Sequence, residues 1–272
     1  MTLIIVFLTL NVFIACNLNK SNYTNNDLNN NTLNDSTRKF RQSIPEGLRK
    51  LLTAYPEQLD SADENNLYWK DRTVMQWDDG IEGKSHDEML NSPDLEDMMS
   101  QKYTAGPDWD SPPGENFEPG RIRYEPFFKK MYGESPGEVQ SNLVNISWVP
   151  SICGCTIMFT SVNGASDKLN EVSDEIEKLP AEYHKYVKQT GGTFNWRYIA
   201  GTKRLSNHSF GAAIDINTKY SNYWQWDGNM TWRNSIPMEI VKIFEKHGFI
   251  WGGKWYHYDT MHFEYRPELL LE

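Results

Sequence analysis

Cysteine is scarce in this chain, with three in 272 residues, at positions 16, 153 and 155. Three thiols cannot build a disulfide scaffold, so a folded domain must rest on an ordinary hydrophobic core. Cys153 and Cys155 form a lone Cys-x-Cys, too few ligands for a structural zinc, and read as free or buried thiols. Long apolar runs are also missing. The longest, residues 1–15, falls short of the roughly 20 residues that span a bilayer. Positive charge is in deficit: the formal net charge is −10 and no long basic run offsets it. That excludes a protein that tracks nucleic-acid phosphates. What remains is a globular composition, 39% hydrophobic and 24% charged, fitting one large domain or two small ones. Ten Trp and fourteen Tyr suit a groove for an extended ligand, although most such rings fill cores.

Residues 1–16 read as a signal peptide of the lipoprotein type. The apolar run ends in Phe13-Ile14-Ala15-Cys16, which resembles the lipobox of bacterial lipoproteins. That resemblance implies export to the cell envelope, with a lipid on Cys16 as membrane anchor. Residues 17–42 are Asn-rich and polar, too poor in apolar groups to offset the entropy of ordering, and read as a disordered tether. Residues 43–143 read as an irregular N-terminal extension packed on the catalytic domain. It opens with a helix from Ser43 to Leu52. In it Asp78-Asp79-Gly80 fits a hairpin turn better than a metal site.

Residues 144–272 read as the catalytic domain. Strands are expected at 144–149 and 156–162, closed by Asn163-Gly164, and a helix at 167–187 that breaks near Pro180. A second helix is expected from Ser235, as its cap, to His247, with Gly248 ending it. His247 falls in its last turn and reads as structural.

Two stretches carry the chemistry. Ala212 to Asn217 alternates as a strand, placing Ala213, Asp215 and Asn217 on one face and Ile214 and Ile216 on the other. His208 precedes it on a turn. Met261 to Tyr265 alternates likewise, with His262 and Glu264 on one face, and Asp259 lies just before it. Two imidazoles and a carboxylate, from His208, Asp215 and His262, fill three tetrahedral positions of Zn2+ and leave a fourth open. Asp259 is then free to accept the proton of an attacking water and deliver it to the leaving amine. An arginine near the oxyanion would stabilise the tetrahedral intermediate. Arg197 is the nearest upstream candidate, with Arg204 behind it. His257 stays open: an alternative ligand to His262, a support for the ligands, or a substrate group.

The pattern Ser206-x-His208-x-x-Gly211-x-Ala213-x-Asp215, followed by Asp259-x-x-His262, resembles the VanY-type D-alanyl-D-alanine carboxypeptidases. It is similar too to their relatives, the L-alanyl-D-glutamate endopeptidases and VanX-type dipeptidases. The resemblance implies an α+β fold, a small antiparallel sheet flanked by helices with a zinc cleft. It also implies zinc on His208, Asp215 and His262, Asp259 as base, Arg197 at the carbonyl and Ser206 on the substrate. The expected activity is hydrolysis next to D-amino acids in peptidoglycan peptides, with a D-alanyl-D-alanine carboxypeptidase first and an endopeptidase of the same family second. A non-catalytic envelope lipoprotein that keeps the zinc is the alternative from another class.

Overall fold

The computed structural model describes residues 43–228 and 230–272. The leader with Cys16 and the Asn-rich stretch 17–42 therefore lie outside the described residues. Residues from Ser43 to Glu272 form one compact unit, and among the described residues no helix is long and apolar enough to cross a membrane.

The N-terminal part sets short elements among loops. Helix α1 (Glu46–Ala54) buries Leu48 and Leu51. Strands β1 (Leu59–Ala62), β2 (Asn66–Trp69) and β3 (Val74–Gln76) form an antiparallel sheet in that order. Helices α2 (His86–Asn91) and α3 (Leu95–Met99) each start from a reciprocal capping box, with Ser85 and Glu88, and with Asp94 and Asp97. The Asp78-Asp79-Gly80 turn exists, with the Gly80 N–H donating to Asp78 Oδ1 at 2.7 Å. It is not a hairpin turn, because helix α2 and not a strand follows it. The Lys84 ammonium occupies the acidic cluster beside it, 2.8 Å from Asp79, 3.3 Å from Asp94 and 2.6 Å from Asp97. Helices α4 (Glu125–Tyr132) and α5 (Pro136–Ser141) lead into the second half.

There β4 (Leu143–Trp148) and β5 (Cys155–Thr160) pair as a hairpin in unbroken register. Cys153 and Cys155 are joined by a disulfide, against the expectation of free thiols. Gly154 takes φ +63°, a turn that brings the two Cα atoms to 5.2 Å, within disulfide range. Helix α6 (Ala165–Ile176) ends before Pro180, and the chain continues through a single-turn helix, α7 (His184–Val187), rather than one long helix.

A second antiparallel sheet has the order β6 (Ala213–Asp215), β8 (His262–Tyr265), β7 (Phe249–Trp251). Helix α8 (Met238–Lys246) covers it, burying Ile240, Val241 and Phe244, with the Phe244 ring stacked 3.9 Å from that of Phe263. Its N-cap is Pro237. Ser235, expected as the cap, donates its hydroxyl to the Asn222 side chain instead, at 2.9 Å. His247 sits between Glu171 and Glu175, at 2.8 and 3.0 Å, tying α8 to α6.

Two apolar cores meet at the start of β6. Ile214 and Ile216 pack into one with α6, α8 and the β4–β5 hairpin, while Ala212 and Phe210 pack into the other with α1, β1, β2 and α4. The strand that carries Asp215 is thereby clamped from both sides.

Candidate active site

The register of β6 against β8 sets Asp215 directly opposite His262, and Ala213 opposite Glu264. Alternation sends Ile214 and Phe263, also opposite one another, into the core. His208 arrives from a 3-10 turn, Asn207–Phe210, capped by the Ser206 hydroxyl, which accepts from the His208 N–H at 3.4 Å. Gly211 closes that turn in the left-handed conformation, at φ +64°. A Cβ there would collide with the Leu143 side chain as well, so only glycine fits. The turn is pinned from outside by the Thr160 N–H on the Gly211 carbonyl at 3.0 Å.

Asp215 Oδ1 lies 3.1 Å from His208 Nε2 and 2.9 Å from His262 Nδ1. One donor atom from each of the three residues falls within 4.8 Å of the others. The opposite ring nitrogens are engaged. His208 Nδ1 is 2.6 Å from the Thr193 carbonyl, which can only accept, so the proton sits there and Nε2 is left as a ligand atom. His262 Nε2 is 3.0 Å from the buried Glu264 carboxylate. Backing each imidazole with an acceptor is the arrangement that fixes tautomer and basicity at metal centres. The donor set, two imidazole nitrogens and one carboxylate oxygen, fits a borderline ion such as zinc, and His208, Asp215 and His262 are the residues that could hold it.

The electrostatics also favour a cation. Burial works against the Asp215 carboxylate, yet His208 and His262 outweigh it and hold it well below the usual range. Burial likewise opposes charge on His262, but Asp215 and Glu264 push it up to about 10. Glu264 is kept ionised against its burial by Arg123 and His262, with Arg266 adding to them. From Glu264 a buried chain runs on through Arg266 to Glu268, and to the Tyr55 hydroxyl, which donates to Glu268 at 2.5 Å. The residue after α1 is thus wired to a candidate metal ligand.

Asp259 lines the same cleft, a cavity of about 90 Å³. Its Oδ1 is buried with no hydrogen-bond partner among the described residues. Burial, and then the negative charge of Asp215, raise it from 3.8 to about 6. Arg197 also lines the cleft. Its backbone is tied to Ser209 and Ser206, and its guanidinium makes no hydrogen bond or ion pair among the described residues. Ser206 is on the wall, its hydroxyl turned to the His208 N–H. Arg204 belongs elsewhere, on a neighbouring cavity. His257 is not one of the converging donors. Its Nδ1 is held 2.6 Å from Glu118, and its ring lies 4.5 Å from that of Trp224.

Five participants escaped the sequence reading, the first being the Thr193 carbonyl, a backbone group that no side-chain pattern marks. Glu264 had a usable signal, since alternation placed it on the face of His262. Arg121, Arg123 and Glu118 had none, because they come from the N-terminal extension across more than 130 residues of chain. Arg121 donates to Glu118 at 2.8 Å and to the His257 carbonyl at 3.2 Å. Arg123 bonds Glu264, and both arginines line the cleft.

The class that this fold and site define is an α+β protein with a three-donor centre and an acid beside it. A family model described as D-alanyl-D-alanine carboxypeptidase matches residues 200–265. Over that stretch, which holds His208, Asp215, Asp259, His262 and Glu264, the chain is similar to a family of peptidases. Arg197 and the residues supplied by the extension lie outside it. No curated protein and no solved structure matches the chain.

Proposed function

We propose that the protein is a zinc-dependent peptidase that cleaves next to D-amino acids in peptidoglycan stem peptides, first as a D-alanyl-D-alanine carboxypeptidase. One observation carries this reading. Within the stretch similar to such carboxypeptidases, two imidazoles and a carboxylate converge beside a second carboxylate whose buried Oδ1 has no partner among the described residues.

His208, Asp215 and His262 would hold the zinc ion, which when bound would supply Lewis acidity and make a water acidic near neutrality. Asp259, on the cleft wall, would accept the proton of an attacking water on its carboxylate and return it to the leaving amine. A carboxyl raised to about 6 is suited to both directions of that transfer near neutrality. Arg197, unpaired and facing the cleft, stabilises the charge that develops on the carbonyl oxygen. Ser206 borders the substrate path. Thr193 and Glu264 keep the two imidazoles oriented. The leader at residues 1–16 would place this activity in the cell envelope, anchored through Cys16.

Two measurements test the reading. Elemental analysis of the purified protein should find about one zinc per chain. Digestion of muropeptides, with the products weighed, should show loss of a single terminal alanine. A cut inside the stem would instead mean an L-alanyl-D-glutamate endopeptidase. Zinc with no cleavage at all would mean an envelope binding protein.

A further inference from the structure

The chain carries a net charge of −10, yet four arginines border the cleft and the cavity beside it. Arg197 borders the cleft alone and Arg204 the neighbouring cavity alone. Arg121 and Arg123 line both, so the two spaces share a cationic wall. The neighbouring cavity is much the larger, about 740 Å³.

The three arginines of that cavity are unequally satisfied. Arg121 pairs with Glu118 and Arg123 with Glu264. The Arg204 guanidinium has no hydrogen bond or ion pair among the described residues, and its Nε is buried without a partner. The Nε of Arg123 is orphaned in the same way. Burial and the cations of Arg123 and Arg121 draw Arg204 down to about 10. The acid in the cavity wall, Glu125, is already engaged by Lys129 at 2.7 Å and by the Leu205 N–H at 3.1 Å. Buried donors without acceptors are rare in folded proteins, and both belong to arginines that line this cavity.

We propose that Arg204, with Arg123 and Arg121, forms an anion subsite that takes a substrate carboxylate remote from the scissile bond. The planar guanidinium fork of Arg204 matches a carboxylate in two parallel hydrogen bonds, and an incoming anion relieves the repulsion among the cations. The proposal rests on the peptidase reading and deepens it. Among stem peptides it selects those whose γ-linked glutamyl residue keeps a free α-carboxylate over those in which it is a carboxamide. It also gives the N-terminal extension a task, since two of the three arginines come from it.

The test uses two peptides ending in D-alanyl-D-alanine that differ only in that carboxylate or carboxamide. Binding is measured by calorimetry on the full chain carrying Asp259→Asn, and turnover on the unaltered protein. The carboxylate peptide should bind about tenfold more tightly, the scale of a charge-assisted pair. Adding Arg204→Gln should weaken the carboxylate peptide about tenfold and leave the carboxamide peptide within about twofold. Arg204→Lys should restore part of the preference, because it keeps the charge and loses the fork. Equal binding of the two peptides, or equal weakening of both by Arg204→Gln, overturns the subsite. Absence of turnover with the binding preference intact overturns the peptidase reading and leaves the subsite supported.

Discussion

Glu264 and His262 are two residues apart on β8, and the Glu264 carboxylate holds Nε2 of the imidazole at 3.0 Å while Nδ1 faces Asp215. Strand alternation alone puts the two side chains on one face, and burial leaves the carboxylate fully enclosed. The pair makes the acid a support for a metal ligand rather than a ligand itself. Glu264→Gln keeps the shape and loses the charge, so zinc affinity should fall about 10- to 100-fold, measured by competition with a chelator. It should also lower the melting temperature, because Arg123 and Arg266 lose the anion they share. Unchanged affinity would show that His262 needs no such partner.

Asp259 is costly to the fold. Its ordinary value of 3.8 is raised to about 6, by burial and then by Asp215, so the folded protein binds this proton more tightly than the unfolded chain. Stability from that group is complete below about 4 and is lost as pH rises through about 6. In metal-free protein, Asp259→Asn should therefore be more stable than the parent by about 3 kcal/mol at pH 7 and nearly indistinguishable at pH 3.5. In zinc-loaded protein the same change should cut turnover by about 100- to 10,000-fold without releasing the metal. Full activity in this variant would remove Asp259 as the base.

The sheet and its two faces could be read from residues 212–217 and 261–265, because a period of two with isoleucine and phenylalanine on one side admits a single burial pattern. The facing of Asp215 and His262 was legible for the same reason, and His208 from its place on the turn just before β6. The start of α8 was not, since Ser235 and Pro237 are both acceptable near a helix start and the Asn222 side chain decides between them. Arg121, Arg123 and Glu118 were illegible on different grounds. Their place depends on the extension folding back onto Trp255 and His257, and no local periodicity encodes a contact of that span. His257, open from sequence, is held by Glu118 through the same fold-back and borders the cleft.

Glu118 binds the extension to the site through charge. Burial opposes its ionisation, but His257 and Arg121 outweigh this and hold it down at about 2. A depressed carboxylate stabilises the fold above its unfolded value, near 4.5, and that stability disappears as pH falls through about 2. Glu118→Gln should cost about 3 kcal/mol at pH 7, and the difference should shrink steadily below pH 4.5. Denaturant melts at a series of pH values would check it. A difference that stays constant down to pH 2.5 would mean that Glu118 holds Arg121 and His257 by shape and not by charge.

Metal loading should release a proton. Without metal, His262 is pushed up to about 10 between Asp215 and Glu264, so at pH 7.5 its ring is protonated on both nitrogens. Nδ1 must give up its proton before it can be a ligand, while Asp215 is already ionised at that pH. Zinc binding should therefore liberate about one proton from His262 per ion at pH 7.5, falling toward zero above pH 10. Calorimetric titration in buffers of different ionisation enthalpy reads this number directly, as the slope of the observed heat against buffer enthalpy. Glu264→Gln removes one of the two carboxylates that raise His262, so the pH at which release fades should move down. A slope of zero at pH 7.5 in the unaltered protein would show that Asp215 does not share its charge with His262, and that the ion is held elsewhere.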